Sequence, residues 1–158
     1  MTALFTFGYE GQSIDSFIAR LKKAGVNEVI DVRELPLSRK RAFSKKAFAA
    51  ALIQAGIGYR HLSVFGCPKP IRNQYKADGN WKRYERAFNA HLVIQKAAVA
   101  ELARFSKTTN ACLVCFEADF KFCHRSLVAL AAAGAGSADV IHLTVTGDSA
   151  DQRMRLAA

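Results

Sequence analysis

Carboxylate, imidazole and thiol side chains recur in this sequence just after its apolar runs, where buried strands would end. Asp31, His61 and Glu117 each close or follow such a run, and Cys123 and His124 open the helical pattern that comes next. These groups are the usual general acids, general bases and nucleophiles of enzymes. We therefore predict that these five residues are candidate catalytic residues.

A second set of side chains at the same strand ends is suited to holding a ligand. Guanidinium groups bind phosphate or carboxylate through paired hydrogen bonds, and hydroxyl groups add neutral donors. The candidate ligand- and anion-binding residues are Glu10, Arg33, Ser38, Tyr59, Arg72 and Arg125. Asp31, Arg33, His61, Glu117 and Arg125 are expected to line one pocket, because the carboxyl ends of parallel strands meet at one sheet edge.

The elements that would position these residues alternate between strand and helix patterns. Short apolar, β-prone runs predict strands at 3–7, 28–32, 58–62, 111–116 and 139–143. Helical spacing follows Ser13 and Ser44 and covers 81–105, with a break near His91, and 123–133. The stretch 63–79, with two prolines and little periodicity, is interpreted as an elaborated loop.

This alternation predicts a single α/β domain over residues 1–158. Its sheet should be open and mostly parallel, with about five strands and helices on both faces. The motif-bearing core is 4–143, and 144–158 is interpreted as a polar tail or short extra helix.

Composition and charge indicate the expected cellular compartment and the class of partner. No apolar run approaches the length that spans a bilayer, and the first residues lack a secretory pattern, so we expect a cytoplasmic protein without a membrane partner. The formal net charge is +10. Segment 33–46 has six basic residues against one acidic, and segment 60–86 has seven against two, so these two segments carry the whole excess. Their charge favours either an anionic small molecule or nucleic acid as partner, or a pair of solvated surfaces.

The four cysteines do not form a recognisable metal motif. Cys112 and Cys115 have a Cys-x2-Cys spacing, but they lie in an apolar run typical of a buried strand and make a poor zinc knuckle. No metal ligand set is predicted, and no nucleotide-cofactor motif is present, so the cofactor is left open. The oligomeric state is left open as well.

The segment 115–125 joins a predicted buried strand to a helix and is the most informative stretch. A thiol phosphatase loop would need arginine six positions after its cysteine, but Lys121 follows Cys115 and Ala129 follows Cys123 at that distance. Cys123 in the first helical turn could be activated or could simply fill space. We expect Arg125 to pair with a carboxylate and Cys123 to remain largely a thiol.

Several of these residues fall into motifs that resemble the DUF488 family of uncharacterised proteins. The motifs are Gly8-Tyr9-Glu10-Gly11, Asp31-Val32-Arg33 with Pro36 and Ser38, Gly56-Ile57-x-Tyr59-x-His61-Leu62, and Cys115-x-Glu117 followed by Cys123-His124-Arg125. The segment from Gly66 to Tyr75 resembles the middle motif of one subgroup. The resemblance covers roughly 4–133 and implies an α/β fold, without implying a reaction.

Three functions remain open on the sequence. The first is an enzyme acting on a phosphate-bearing ligand, a nucleotide or nucleic acid, through Glu117 or Asp31 as acid/base with arginine clamps. The second is a thiol enzyme using Cys123, for which no resolving cysteine is visible and which is not part of a CxxC pair. The third is a non-enzymatic nucleic-acid-binding module in which Trp81, Tyr75 and Tyr84 would stack on bases. We favour the first, leaving the reaction class unknown.

Overall fold

The computed structural model describes residues 1–150 and shows one mixed sheet of six strands. The strands are β1 (Ala3–Gly8), β2 (Glu28–Asp31), β3 (Gly58–His61), β4 (Ala111–Cys115), β5 (Asp139–Leu143) and β6 (Asp148–Ala150). Their order across the sheet is β3-β2-β4-β1-β5-β6. Strands β1 to β5 run parallel to one another, and β6 runs antiparallel to β5. The predicted open, mostly parallel sheet is confirmed, with six strands instead of about five.

Six α-helices cover both faces of this sheet. They are α1 (Ile14–Ala24), α2 (Lys45–Gln54), α3 (Lys69–Asp78), α4 (Trp81–Ile94), α5 (Lys96–Ser106) and α6 (His124–Gly134). Buried side chains of α1 and α2 pack on one face, and those of α4, α5 and α6 pack on the other, where α3 adds partly buried residues. No helix of residues 1–150 is long and apolar enough to cross a membrane.

Alternation along β4 shows how the sheet divides its residues between two cores. Cys112 and Val114 join the core under α1 and α2, whereas Leu113 and Cys115 join the core under α4 and α6. Successive side chains of a strand point to opposite faces, so this division follows directly from the apolar run. It also places Cys115 at the strand end, on the α4–α6 side.

Helix α3 lies where the sequence suggested a loop, and that interpretation was wrong. Pro70 stands in its first turn, where proline costs no helical hydrogen bond, and Gly79 ends it with a φ of 60°. Helix α3 has no fully buried residue, so no apolar stripe marked it in the sequence. The predicted break near His91 is at Gln95, between α4 and α5.

The segment predicted as a polar tail contains β6. Thr144 and Gly147 close a tight turn in which the Thr144 amide donates to the Gly147 carbonyl at 2.8 Å. Arg20 of α1 then binds Asp148 and the carbonyls of Thr144 and Gly147. Residues 151–158 of that tail lie outside the described residues.

Candidate functional site

A cavity of about 720 Å³ opens at the carboxyl edge of the sheet, on the side of α3, α4 and α6. This volume lies within the range of small-molecule sites. Its walls come from the loop after β2, from α3 and the start of α4, and from the loop 116–122 between β4 and α6. The edge is the one at which ligands bind in open α/β sheets.

The loop 116–122 is fixed against β1 by a close backbone approach. A Cβ atom at Gly8 would overlap the carbonyl group of Glu117, so only glycine fits at that position. Arg125 of α6 lies fully buried beneath the loop and donates to the carbonyls of Glu117 and Ala118. Its Nε also donates to Thr6 Oγ1 at 3.2 Å. The loop path is therefore set by one glycine and one arginine.

Two thiols and an imidazole form the floor of the cavity. Cys115 ends β4, Cys123 precedes α6 and His124 begins α6, and the two sulfur atoms and a ring nitrogen all lie within 4.8 Å of one another. Cys115 Sγ is 3.7 Å from His124 Nδ1. His124 Nε2 lies 2.7 Å from the carbonyl oxygen of Val32. Because that oxygen only accepts, Nε2 carries a proton and Nδ1 is left to face the sulfur atoms.

The pKa values of the two thiols on the cavity floor are shifted in opposite directions. Burial raises the pKa of Cys123, but the hydrogen bond from Cys115 and the positive charges of Arg125 and His124 outweigh it and lower that pKa well below its usual value. The hydrogen bond to Cys123, together with burial, raises the pKa of Cys115 well above its usual value. Burial lowers the pKa of His124, and its contacts with Cys123 outweigh this and raise it. These directions favour a Cys123 thiolate and a His124 imidazolium, with Cys115 as a neutral thiol.

Glu117 stands beside this pair on the cavity wall. Its Oε2 lies 3.2 Å from Cys115 Sγ and competes with Cys123 for the single proton of that thiol. Burial in the surrounding protein is the main cause that raises the pKa of Glu117 to about 6, and the negative charge of Cys123 adds to it. A carboxyl group that titrates near neutrality is able to take up and return a proton.

The rim of the cavity is positively charged. Five basic side chains line it against two carboxylates, Glu34 and Glu117; the basic residues are Arg33, Arg39, Lys40, Arg72 and Lys76. Arg72 is paired with Glu34 at 2.7 Å, and Arg33 is paired with Asp31, which leaves Arg39, Lys40 and Lys76 without an ion pair within 4.0 Å among residues 1–150. The rim therefore attracts anions through its outer cations.

Aromatic rings form the wall opposite the loop 116–122. Trp81 stacks on Tyr84 with ring centroids 4.7 Å apart, and Tyr75 packs against both rings. Tyr84 is buried, and Trp81 is also in contact with Phe122. These rings pack on one another, so they shape an apolar wall more than a set of open stacking faces.

Asp31 and Tyr59 lie at the same sheet edge but outside the cavity, which their shared partner Arg33 lines. The Asp31 carboxylate accepts hydrogen bonds from Arg33 Nε at 2.8 Å, Arg33 Nη2 at 2.7 Å and the Tyr59 hydroxyl at 2.6 Å. Arg33 also donates to the Tyr9 hydroxyl at 3.1 Å. Burial and the hydrogen bond to Asp31 raise the pKa of Tyr59. This closed network is a structural unit that leaves Asp31 no free oxygen for a substrate.

The expectation that five residues share one pocket was wrong for three of them. Arg33 and Glu117 line the cavity, whereas Asp31, His61 and Arg125 do not. Asp31 is fully buried under Arg33, and His61 Nε2 donates to the Arg33 carbonyl at 2.7 Å. Arg125 instead donates hydrogen bonds to the backbone of the loop 116–122. Of the other predicted ligand residues, Ser38 and Arg72 line the cavity, and Glu10 instead accepts from the Ala118 amide at 2.9 Å.

Two further expectations about the loop 116–122 were wrong. Arg125 binds carbonyl and hydroxyl oxygens and pairs with no carboxylate among the described residues. The Cys115 thiol and the charge of Arg125, which no carboxylate of residues 1–150 neutralises, lower the pKa of Cys123 in spite of its burial, whereas an ordinary thiol was expected. Cys115 is not among the predicted site residues, because its place at the end of β4 resembles that of any apolar core residue.

The spacing of Cys115, Cys123 and His124 would also admit a soft metal ion. Such a trio does not follow the Cys-x2-Cys spacing and could not be found by motif. The buried Arg125 guanidinium, whose charge acts on both sulfur atoms, is an unfavourable neighbour for a further cation.

Comparison with known proteins agrees with the motifs. The model of the family described as domain of unknown function DUF488 matches residues 13–132, and the chain belongs to that family. The matched region contains Cys115, Glu117, Cys123 and His124. Neither the curated proteins nor the solved structures contain a match to the chain.

Proposed function

We propose that the cavity is the active site of a thiol-dependent enzyme that acts on an anionic ligand, with Cys123 as nucleophile. The observation that carries this proposal is the contact of Cys123 with His124 and Cys115 at the floor of a basic cavity. Thiolates are the reactive form of cysteine, and a neighbouring imidazolium is a recurrent way of stabilising them.

The residues around Cys123 have separate roles in such a reaction. The His124 imidazolium stabilises the thiolate and is placed to supply a proton to a leaving group. Its orientation is fixed by the Val32 carbonyl. Glu117, in contact with Cys115, is a second proton acceptor. The outer cations Arg39, Lys40 and Lys76 attract the negative end of the ligand, and the rings of Trp81 and Tyr84 bound its apolar part.

A second candidate keeps the phosphate-bearing ligand, a nucleotide or nucleic acid, and assigns the chemistry to Glu117. It is favoured by the pKa of Glu117 near neutrality in a basic cavity. In that enzyme Glu117→Gln abolishes turnover and Cys123→Ser does not. In the thiol enzyme Cys123→Ser abolishes turnover, so this variant separates the two functions.

The non-enzymatic nucleic-acid-binding module is less well supported. The rings that would stack on bases, Tyr75, Trp81 and Tyr84, pack against one another. Nucleic acid as a partner stays a prediction.

Competitive alkylation tests the proposed function. Iodoacetamide is neutral and iodoacetate is anionic, and each alkylates a thiolate. We expect Cys123 to react with both before the other cysteines, and to favour iodoacetate relative to a free cysteine in the same buffer. Replacing Lys40 and Lys76 with glutamine should reduce that preference, while Lys22→Gln and Lys23→Gln on α1 serve as charge-matched controls. A Cys123 that reacts no faster than a free thiol would contradict the proposal.

A further inference from the structure

The function proposed above assigns no chemical role to the buried thiol of Cys115. Cys115 contacts Cys123, His124 and Glu117, and it lies at the cavity floor. A second thiol within reach of a nucleophilic cysteine is the arrangement in which a mixed disulfide is resolved within the same chain. The sequence conceals this pair, since eight positions separate the two residues and the Cys-x2-Cys pair that is visible joins Cys115 to Cys112 instead.

We propose that Cys115 is the resolving thiol of Cys123, and that the site exchanges this dithiol with the disulfide bond of an anionic small molecule. The inference rests on the proposed function, because it requires Cys123 to be the nucleophile. It adds the substrate class and a catalytic role for Cys115.

The exchange takes place in two displacement steps. The Cys123 thiolate attacks one sulfur of the ligand disulfide, a Cys123–ligand disulfide forms, and the first ligand thiolate leaves. Cys115 then gives its proton to Glu117, attacks the Cys123 sulfur and expels the second ligand thiolate. The protein dithiol loses two electrons to form the Cys115–Cys123 disulfide, the ligand disulfide gains them, and one proton is released.

Each participant has the position that these steps require. The sulfur atoms of Cys115 and Cys123 lie within 4.8 Å, so side-chain rotation brings them to bonding distance. Glu117 Oε2 lies 3.2 Å from the Cys115 sulfur, within hydrogen-bond reach of its proton. The neutral form of Cys115 and the ionised form of Cys123 agree with the opposite directions of their pKa shifts.

The remaining two cysteines are poor competitors. Cys112 is fully buried on the other face of the sheet, among the core residues under α1 and α2. Cys67 lines the cavity, but burial raises its pKa to about 11. Its sulfur is directed to the Pro68 carbonyl at 3.7 Å. The dithiol is therefore distinct from the other thiols of the chain.

The test uses 5,5′-dithiobis(2-nitrobenzoate), an anionic aromatic disulfide that releases a coloured thiolate. The protein is first reduced and freed of metal with a chelator, and Cys67→Ser is the background for all variants. We expect two equivalents of coloured thiolate per chain, the second released at a rate independent of reagent concentration. The product should carry no label and should have lost two hydrogens by mass.

Variants separate this inference from the proposed function. Cys115→Ser should release one equivalent and keep the label on Cys123, and Cys123→Ser should slow the first release by at least about tenfold. If Cys123 reacts fast in both proteins but the protein with both thiols also keeps its label, Cys115 does not resolve and only this inference fails. If Cys123 reacts slowly in the protein that keeps both thiols, the proposed function fails as well.

A metal-binding trio would give a different result in the same assay. Addition of one equivalent of zinc to the reduced protein should leave the release of coloured thiolate almost unchanged if the pair is a redox dithiol. Stoichiometric zinc binding that protects both thiols would overturn the inference in favour of a metal site.

Discussion

Cys115 and Cys123 occupy the two ends of the loop that closes the cavity, and their sulfur atoms lie within 4.8 Å of each other. One residue ends β4 and the other precedes α6. Because the loop returns to its starting point, the hydrogen bond between these thiols ties the electrostatics of the site to the conformation of the loop.

The first prediction concerns the acidity of Cys123. The midpoint of its alkylation rate against pH should lie below the value of about 8.5 for an ordinary cysteine. Cys115→Ala removes a hydrogen-bond donor and should move the midpoint upward. Cys67→Ala, at the same cavity, should leave it unchanged. The measurement is mass spectrometry of Cys123 after short pulses of iodoacetamide at a series of pH values. An ordinary midpoint in the unmodified protein would contradict the assignment of the thiolate.

The second prediction concerns Glu117 as a gate for anions. Its pKa is raised to about 6, so its negative charge is present above that pH and lost below it. The titratable groups that face its carboxyl group are Cys115, Cys123 and His124. The ratio of the iodoacetate rate to the iodoacetamide rate should rise by roughly fivefold as the pH falls through about 6, since one unit charge nearby is removed. Both reagents need the thiolate, so its titration cancels in the ratio. Glu117→Gln should show the high ratio at every pH, and a ratio still dependent on pH in that variant would assign the effect to another group.

The third prediction separates the Asp31 network from the chemistry. Asp31 is fully buried, and Asp31→Asn leaves Arg33 without its counter-charge, so the free energy of unfolding should fall by about 3–5 kcal/mol. Glu28→Gln, which breaks the exposed pair with Arg60, should cost far less. Urea unfolding measures both. The alkylation midpoint of Cys123 should be unchanged in folded Asp31→Asn, and a large shift would place Asp31 in the site after all.

The fourth prediction tests the close approach beneath the loop. Gly8→Ala places a methyl group against the Glu117 backbone, which cannot move away without displacing the loop. We expect a loss of about 1–3 kcal/mol and a Cys123 midpoint nearer to that of an ordinary thiol. Gly134→Ala, at a helical position with open space around the new methyl group, is the matched control and should not lower stability. Equal stability of the two variants would show that the loop does not depend on Gly8.

The strand ends were predictable, because a parallel sheet places them at one edge whatever the side chains are. The side chains that reach the cavity could not be predicted, because their orientation depends on partners distant in sequence. Asp31 turned inward because Arg33 and Tyr59 converge on it. Cys115 looked like core because its neighbours are apolar, although its alternation with Leu113 already places it on the α4–α6 face. Helix α3 left no periodic signal because it buries no side chain completely.

The buried guanidinium of Arg125 makes the stability of the fold a readout of the state of Cys123. Its hydrogen-bond acceptors are all uncharged, so the thiolate is a main source of compensating negative charge near it. A reagent or ligand that caps Cys123 removes that charge while the cation stays buried. Capped protein should therefore melt at a lower temperature than free protein, so that a thermal-shift plate would detect covalent binders by the destabilisation they cause.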